Sequence, residues 1–237
     1  MKRYLSVFEM ITRSSIYKVL LIITAMVVVE GAFFYNTFLA QEGVSFEFYI
    51  EESHYRVIFL IAYILVTIVV VLPGMNIGSV QTYTLQRLRI KEGRIFWLQA
   101  LYNLCAYVLL WGVQLAMILG SYVYYQSNLP KGAIVSNQTL FLSFIRSNFM
   151  HCVLPLEDGP GWWVIGLIAV TTALAAANFT KLQRSGKFGF ELLLMIAAVC
   201  IYFPRALGYD ISFIMVAISV VYAVMYLRWG MNRFGGE

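Results

Sequence analysis

The chain has 237 residues, of which 61% are hydrophobic and 12% charged, with a mean hydropathy of +0.76. Soluble domains carry about 25% charged residues, so half that share excludes water as the main solvent and leaves an all-α polytopic membrane protein, because the apolar runs are continuous rather than alternating. The formal charge of +5 is gathered into particular loops, which excludes nucleic acid as the partner it serves.

Residues 1–17 place Leu5, Phe8 and Ile11 near helical spacing, with Lys2, Arg3, Glu9 and Arg13 between them. That pattern predicts an N-terminal amphipathic helix lying in the membrane interface. The first span is expected at about 19–39. It contains Glu30, a carboxyl that is costly in hydrocarbon and is expected to face a bundle interior, a watery cavity or the outer interface. An acidic stretch follows, with Glu42, Glu47, Glu51 and Glu52 set among Phe46, Phe48 and Tyr49.

The second span is expected at about 57–75. The most cationic stretch comes next, and Arg87, Arg89, Lys91 and Arg94 fall within it, with Glu92 the one acid among them. Leu85 and Leu88 can share one helix face there. A long apolar run over about 95–125 forms the third span. It exceeds the ~20 residues that one crossing needs. Its polar members Asn103 and Gln114 suit hydrogen bonds between helices, and with Glu30 they are candidates for a translocation path. Residues 126–161 form the largest outer loop, in which the semi-apolar stretch 139–153 suits a surface helix. Spans four, five and six are expected at about 162–178, 188–203 and 211–227.

Sidedness follows from the Lys and Arg bias. With the N-terminus inside, thirteen of the seventeen basic residues fall on inner segments, and only Arg56, Lys131, Arg146 and Arg205 fall outside. Six spans with both termini cytoplasmic is the expected topology, in a bacterial plasma membrane.

Few motifs carry catalytic chemistry. Ser185-Gly186-Lys187-Phe188 has the Gly-Lys pair of a phosphate-binding loop but lacks the upstream glycine and the hydroxyl. The three cysteines are scattered without metal spacing. Residues 51–56 spell E-E-x-x-x-R, which resembles the first motif of intramembrane CAAX-type (Abi) proteases, where a glutamate activates water with histidines from other helices. The chain has two histidines, His54 and His151. His54 falls inside the motif itself, and the family's second histidine motif is absent.

The order of elements resembles the membrane subunit of ABC-2 type exporters. The shared pattern is an interfacial N-terminal helix, six spans, a helical loop between spans two and three, and a large outer segment. In particular, Tyr83-Thr84-Leu85-Gln86-Arg87-Leu88-Arg89-Ile90, followed by Arg94-Ile95-Phe96, looks like the coupling-helix region of small bacterial permeases of that family. The resemblance implies an ABC-2, type V exporter-like fold. It also implies that Tyr83, Leu85, Arg87, Leu88, Arg89, Lys91 and Arg94, within the cytoplasmic loop 81–94, dock onto a separate ABC ATPase subunit. ATP and Mg would sit on that partner, with no cofactor in this chain and no enzyme activity of its own. A second permease subunit, identical or related, would complete the path. The chain departs from the family pattern in placing its large outer loop before span four. The alternatives are a CAAX-type protease and a membrane scaffold that transports nothing.

Overall fold

The computed structural model describes residues 2–41, 43–75, 92–129, 137–156, 159–184 and 189–203, together with positions 221 and 225. The expected docking residues Tyr83, Leu85, Arg87, Leu88, Arg89 and Lys91, and nearly all of the expected sixth span, lie outside the described residues. Within them the chain is all-helical, and four helices are long and apolar enough to cross a membrane.

Helix α1 runs Lys2–Ala40 without a break, 39 residues or about 58 Å. The expected interfacial helix and first span are thus one element. The physical reason is that Thr12 to Lys18 contains neither glycine nor proline, so nothing stops the helix where its character changes from amphipathic to apolar. A short α2, Phe46–Glu52, and then α3, Tyr55–Met75, follow. Gly43 turns the chain after α1 at a φ of 77°, where glycine carries no Cβ penalty. His54 turns it between α2 and α3 at a φ of 57°.

Helix α4 covers Glu92–Ser127, 36 residues or about 54 Å. The expected outer helix over 139–153 is two helices, α5 (Asn137–Arg146) and α6 (Asn148–Val153). The break falls at Ser147, whose backbone is extended at φ −83°, ψ 121°. Ser147 takes the N-cap position of α6, where serine is common, although its buried hydroxyl makes no capping bond. Helix α7 spans Gly159–Arg184, six residues beyond the expected end of span four. Helix α8, Glu191–Tyr202, covers 12 residues, about 18 Å against a hydrocarbon core of about 30 Å.

The four long helices pack as a ring in the order α1, α3, α7, α4, with α3 and α4 also touching across the diagonal. Helices α1 and α4 run one way and α3 and α7 the other. Tyr55, opening α3, meets Ser121 near the end of α4, and Asn103, early in α4, meets Ala173, late in α7. The two ends of the ring therefore differ in charge. Arg94 and Lys181 share one end, where the Lys181 ammonium stands 5.8 Å over the Phe96 ring. Glu47, Glu51 and Glu52 share the other, on α2. Helix α7 packs closely through Ala173, Ala175, Ala176 and Ala177, all buried, as small residues allow where membrane helices meet.

The α2 end is closed by aromatic rings. Phe46 is fully buried, with its centroid 5.2 Å from Tyr122 and 5.6 Å from Tyr125. The Tyr49 hydroxyl donates to the Gln41 carbonyl at 2.6 Å, and the Tyr125 hydroxyl donates to the Val44 carbonyl at 3.0 Å. These two bonds tie down the carbonyls of the α1–α2 connection. On the surface, Ser143 donates to Glu47 at 3.1 Å and Arg146 pairs with it at 3.4 Å, which joins α5 to α2. Arg146 is largely exposed, so the ion pair contributes well under about 1 kcal/mol.

Candidate functional site: a polar line inside the bundle

The inward stripe of α4 reads Asn103, Tyr107, Leu110, Gln114, Ile118, Ser121 and Tyr125, each three or four residues after the last and each buried. This is the face that a helical period turns toward the core. Five of the seven carry hydrogen-bonding side chains; Tyr125 serves the α1–α2 connection, and the other four, Asn103, Tyr107, Gln114 and Ser121, run along the stripe between the long helices.

Three of these four are tied to other helices. Asn103 Nδ2 donates to the Ala173 carbonyl on α7 at 3.2 Å. Thr67 on α3 spends its single hydroxyl proton on the Tyr63 carbonyl at 2.8 Å. The Tyr107 hydroxyl, 3.0 Å from Thr67 Oγ1, is therefore the donor of that bond. The Tyr55 hydroxyl lies 2.6 Å from Ser121 Oγ. The Tyr63 and Tyr107 rings stack at 5.0 Å. A variant pair tests this network. Thr67→Val leaves the Tyr107 donor buried with no acceptor and is expected to cost about 1–3 kcal/mol. Tyr107→Phe leaves the Thr67 hydroxyl bonded to Tyr63 and is expected to cost about 0.5–1.5 kcal/mol. Thermal melting in detergent should therefore rank Thr67→Val as the more damaging; the reverse order would refute the assigned donor.

The fourth member, Gln114, faces Glu30 of α1. Both residues are 0% exposed. Gln114 lies beside the Glu30 carboxyl, but no contact of hydrogen-bond geometry joins them, and all four of their polar side-chain atoms are without a partner. Tyr55 also lies near Glu30. Of the three candidate path residues, Glu30 and Gln114 are thus brought together. Asn103 lies eleven residues from Gln114 along α4, about 16 Å away, and serves as a strut to α7. Glu30 faces the bundle interior rather than the outer interface.

A second feature lies on the other side of α4. A cleft of about 230 Å³ opens between α3, α4, α7 and α8, lined chiefly by Phe59, Tyr63, Tyr107, Trp111, Trp162 and Phe203. Trp111 Nε1 donates to the Val153 carbonyl at 2.9 Å, which orients its ring along the cleft wall. Nearby, Cys152 is buried with its Sγ 3.6 Å from the Tyr202 carbonyl, and burial pushes its thiol up to about 11.

The motif residues of the E-E-x-x-x-R stretch occupy the surface, while Ser53 and Tyr55 between them are buried. Glu51, Glu52, His54 and Arg56 are all exposed, and the His54 ring stacks on Phe33 at 6.4 Å. Among the described residues no three His, Cys, Asp or Glu side chains converge as a metal ion would need. Of the expected docking set, Arg94 is described, and it stands exposed on the first turn of α4.

Tyr55, Thr67, Tyr107 and Ser121 did not stand out in the sequence. Tyr107 and Ser121 had one signal, the seven-residue spacing of Tyr107, Gln114 and Ser121, which repeats one polar position every two helical turns; Tyr55 and Thr67 on α3 had none.

The described chain defines an all-helical protein with membrane-length apolar helices and a partly unsatisfied polar interior. No protein-family model, no curated protein and no solved structure matches it.

Proposed function

We propose that the chain is the membrane-embedded permease subunit of an ATP-driven exporter of the ABC-2 class. It crosses a bacterial plasma membrane six times with both termini cytoplasmic, and it works with a second permease subunit, identical or related. Its own residues provide the path, while a separate ATPase binds ATP and Mg and supplies the power. The cargo is amphipathic or hydrophobic: an antimicrobial peptide, a lipid or a drug.

The observation that supports this reading best is the inward pair Glu30–Gln114. A membrane protein that only needs to fold gains nothing from an unpartnered carboxyl between its helices. One that moves cargo through its interior needs polar groups that can exchange partners as the bundle changes shape. The charge asymmetry of the two ends adds to it, because the basic end carries Arg94 and borders the cationic segment 81–94. The protease reading gains nothing comparable, since Glu51 and Glu52 are exposed on α2 rather than turned into the bundle.

The test is co-expression with the neighbouring genes, followed by purification through a tag on this chain. A stoichiometric ATPase that hydrolyses ATP faster in the presence of the chain is the expected result. If none binds, the exporter reading is lost.

A further inference from the structure

We infer that Glu30 and Gln114 form a site for one positive charge, a proton or a sodium ion, in the interior of the bundle. The inference goes beyond the exporter reading and does not depend on it, because both residues belong to this chain.

The depth of the site sets the problem. Glu30 lies four residues past the middle of the apolar stretch Thr12–Ala40, and Gln114 four residues past the middle of Gly93–Ser127, each about 6 Å along its helix axis. A lone carboxylate at that depth is strongly disfavoured unless its charge is matched. No described side chain matches it. The Arg146–Glu47 ion pair lies on the surface, away from Glu30. From α3 the titratable group that faces Glu30 is Tyr55, whose hydroxyl is engaged with Ser121. From α4 the side chain that faces it is Gln114, an amide that does not titrate. The acids of α2 lie elsewhere: Glu47 pairs with Arg146, and Glu51 and Glu52 are exposed.

The unpartnered atoms identify the occupant. Glu30 offers two carboxyl oxygens, and Gln114 offers one amide oxygen and one amide nitrogen. A proton on Glu30 lets the acid O–H donate to Gln114 Oε1 while Gln114 Nε2–H donates to the other carboxyl oxygen. That ring of two hydrogen bonds satisfies all four atoms. It closes by rotating the terminal torsions of both side chains, which are broad. A sodium ion is held instead by three hard oxygens, two from Glu30 and one from Gln114, the ligand type such ions select. A divalent ion would leave an excess positive charge in the same apolar surroundings, and an anion would meet a carboxylate. One positive charge is what fits.

Infrared difference spectroscopy on the full chain in detergent tests this, comparing acidic with alkaline buffers, each with and without sodium chloride. The expected result is a neutral-carboxyl C=O band at neutral pH that disappears in Glu30→Gln and shifts in frequency in Gln114→Leu, which has lost the ring. Glu30→Gln keeps a two-bond amide–amide pair and is expected to fold. Should it fail to fold, the Gln114→Leu frequency shift reads the same contact. If sodium is the occupant, an ionised Glu30 is seen instead, and sodium chloride raises the melting temperature of the unaltered chain but not of Glu30→Gln. An ionised Glu30 with no response to sodium overturns the site, as does a neutral band that neither variant alters. The measurement uses no ATPase, so its failure leaves the exporter reading standing, and the absence of an ATPase partner leaves this site standing.

Discussion

Reversing the charge of Arg87 and Arg89 together, to glutamate, is expected to abolish stimulation of a bound ATPase while the chain still inserts normally. The proposed docking surface joins the Leu85–Leu88 face to flanking guanidinium groups. Turning two of those charges against a complementary acidic groove replaces attraction with repulsion, which costs several kcal/mol at an interface. Each 1.4 kcal/mol is about tenfold in affinity, so a fall of roughly a hundredfold or more is the scale to look for. Insertion survives because sidedness is set by the whole Lys and Arg bias. In the proposed topology eleven inner basic residues against four outer ones remain after the change, and added acids contribute little to orientation. ATP hydrolysis by the co-purified complex, measured beside the membrane-inserted amount, separates the two effects. Undiminished stimulation would remove the docking role from this segment.

The second large effect is structural. Phe46→Ala is expected to destabilise the fold by about 3–5 kcal/mol. Phe46 is fully buried and centres the aromatic cluster that joins α1, α2 and α4. Its position matters as much as its size. Between lipid-exposed helices the hydrophobic effect has little to act on, since lipid tails are as apolar as leucine. Helix α2 is seven residues long and carries the exposed acids Glu51 and Glu52, so its surroundings are more polar than those of the membrane-length helices and burial of Phe46 keeps more of its worth. For a chain of this length the loss corresponds to a fall in melting temperature of roughly 6–20 °C. Phe48→Ala is the control, because Phe48 is exposed on the same helix. Equal losses for the two would show that the cluster does not hold the end of the bundle.

Much of the helical content was legible because apolar runs of twenty residues leave the backbone few alternatives. The third span, expected over 95–125, became a helix over Glu92–Ser127. The continuity of α1 was harder to read, since the amphipathic spacing of the first residues suggested a separate helix, while the absence of any breaker was the decisive fact. The split at Ser147 was written in a residue type that favours helix starts. Glu30 and Gln114 each stood out as polar residues in apolar runs, but their facing one another did not. Periodicity tells which face of a helix turns inward and says nothing of which neighbour it meets. Tyr55 and Ser121 lie sixty-six residues apart, and only the packing order α1, α3, α7, α4 brings such groups together.

The bonds of Tyr49 and Tyr125 to the α1–α2 connection have a mechanical consequence. They fasten the ends of α1 and α4 through a rigid aromatic block, so these two helices are pinned where the acids lie. Toward the opposite end, where Arg94 and Lys181 stand, α1 and α4 meet through a single ring pair, Phe8 edge-on to Tyr102 with centroids 6.5 Å apart. A pair of rods clamped at one end moves only by swinging at the other, and a small rotation about the clamp grows with distance along rods of about 54–58 Å. The bundle is built like tweezers, with its grip on the acidic side, a lighter contact on the basic side, and Glu30 and Gln114 part-way along the arms.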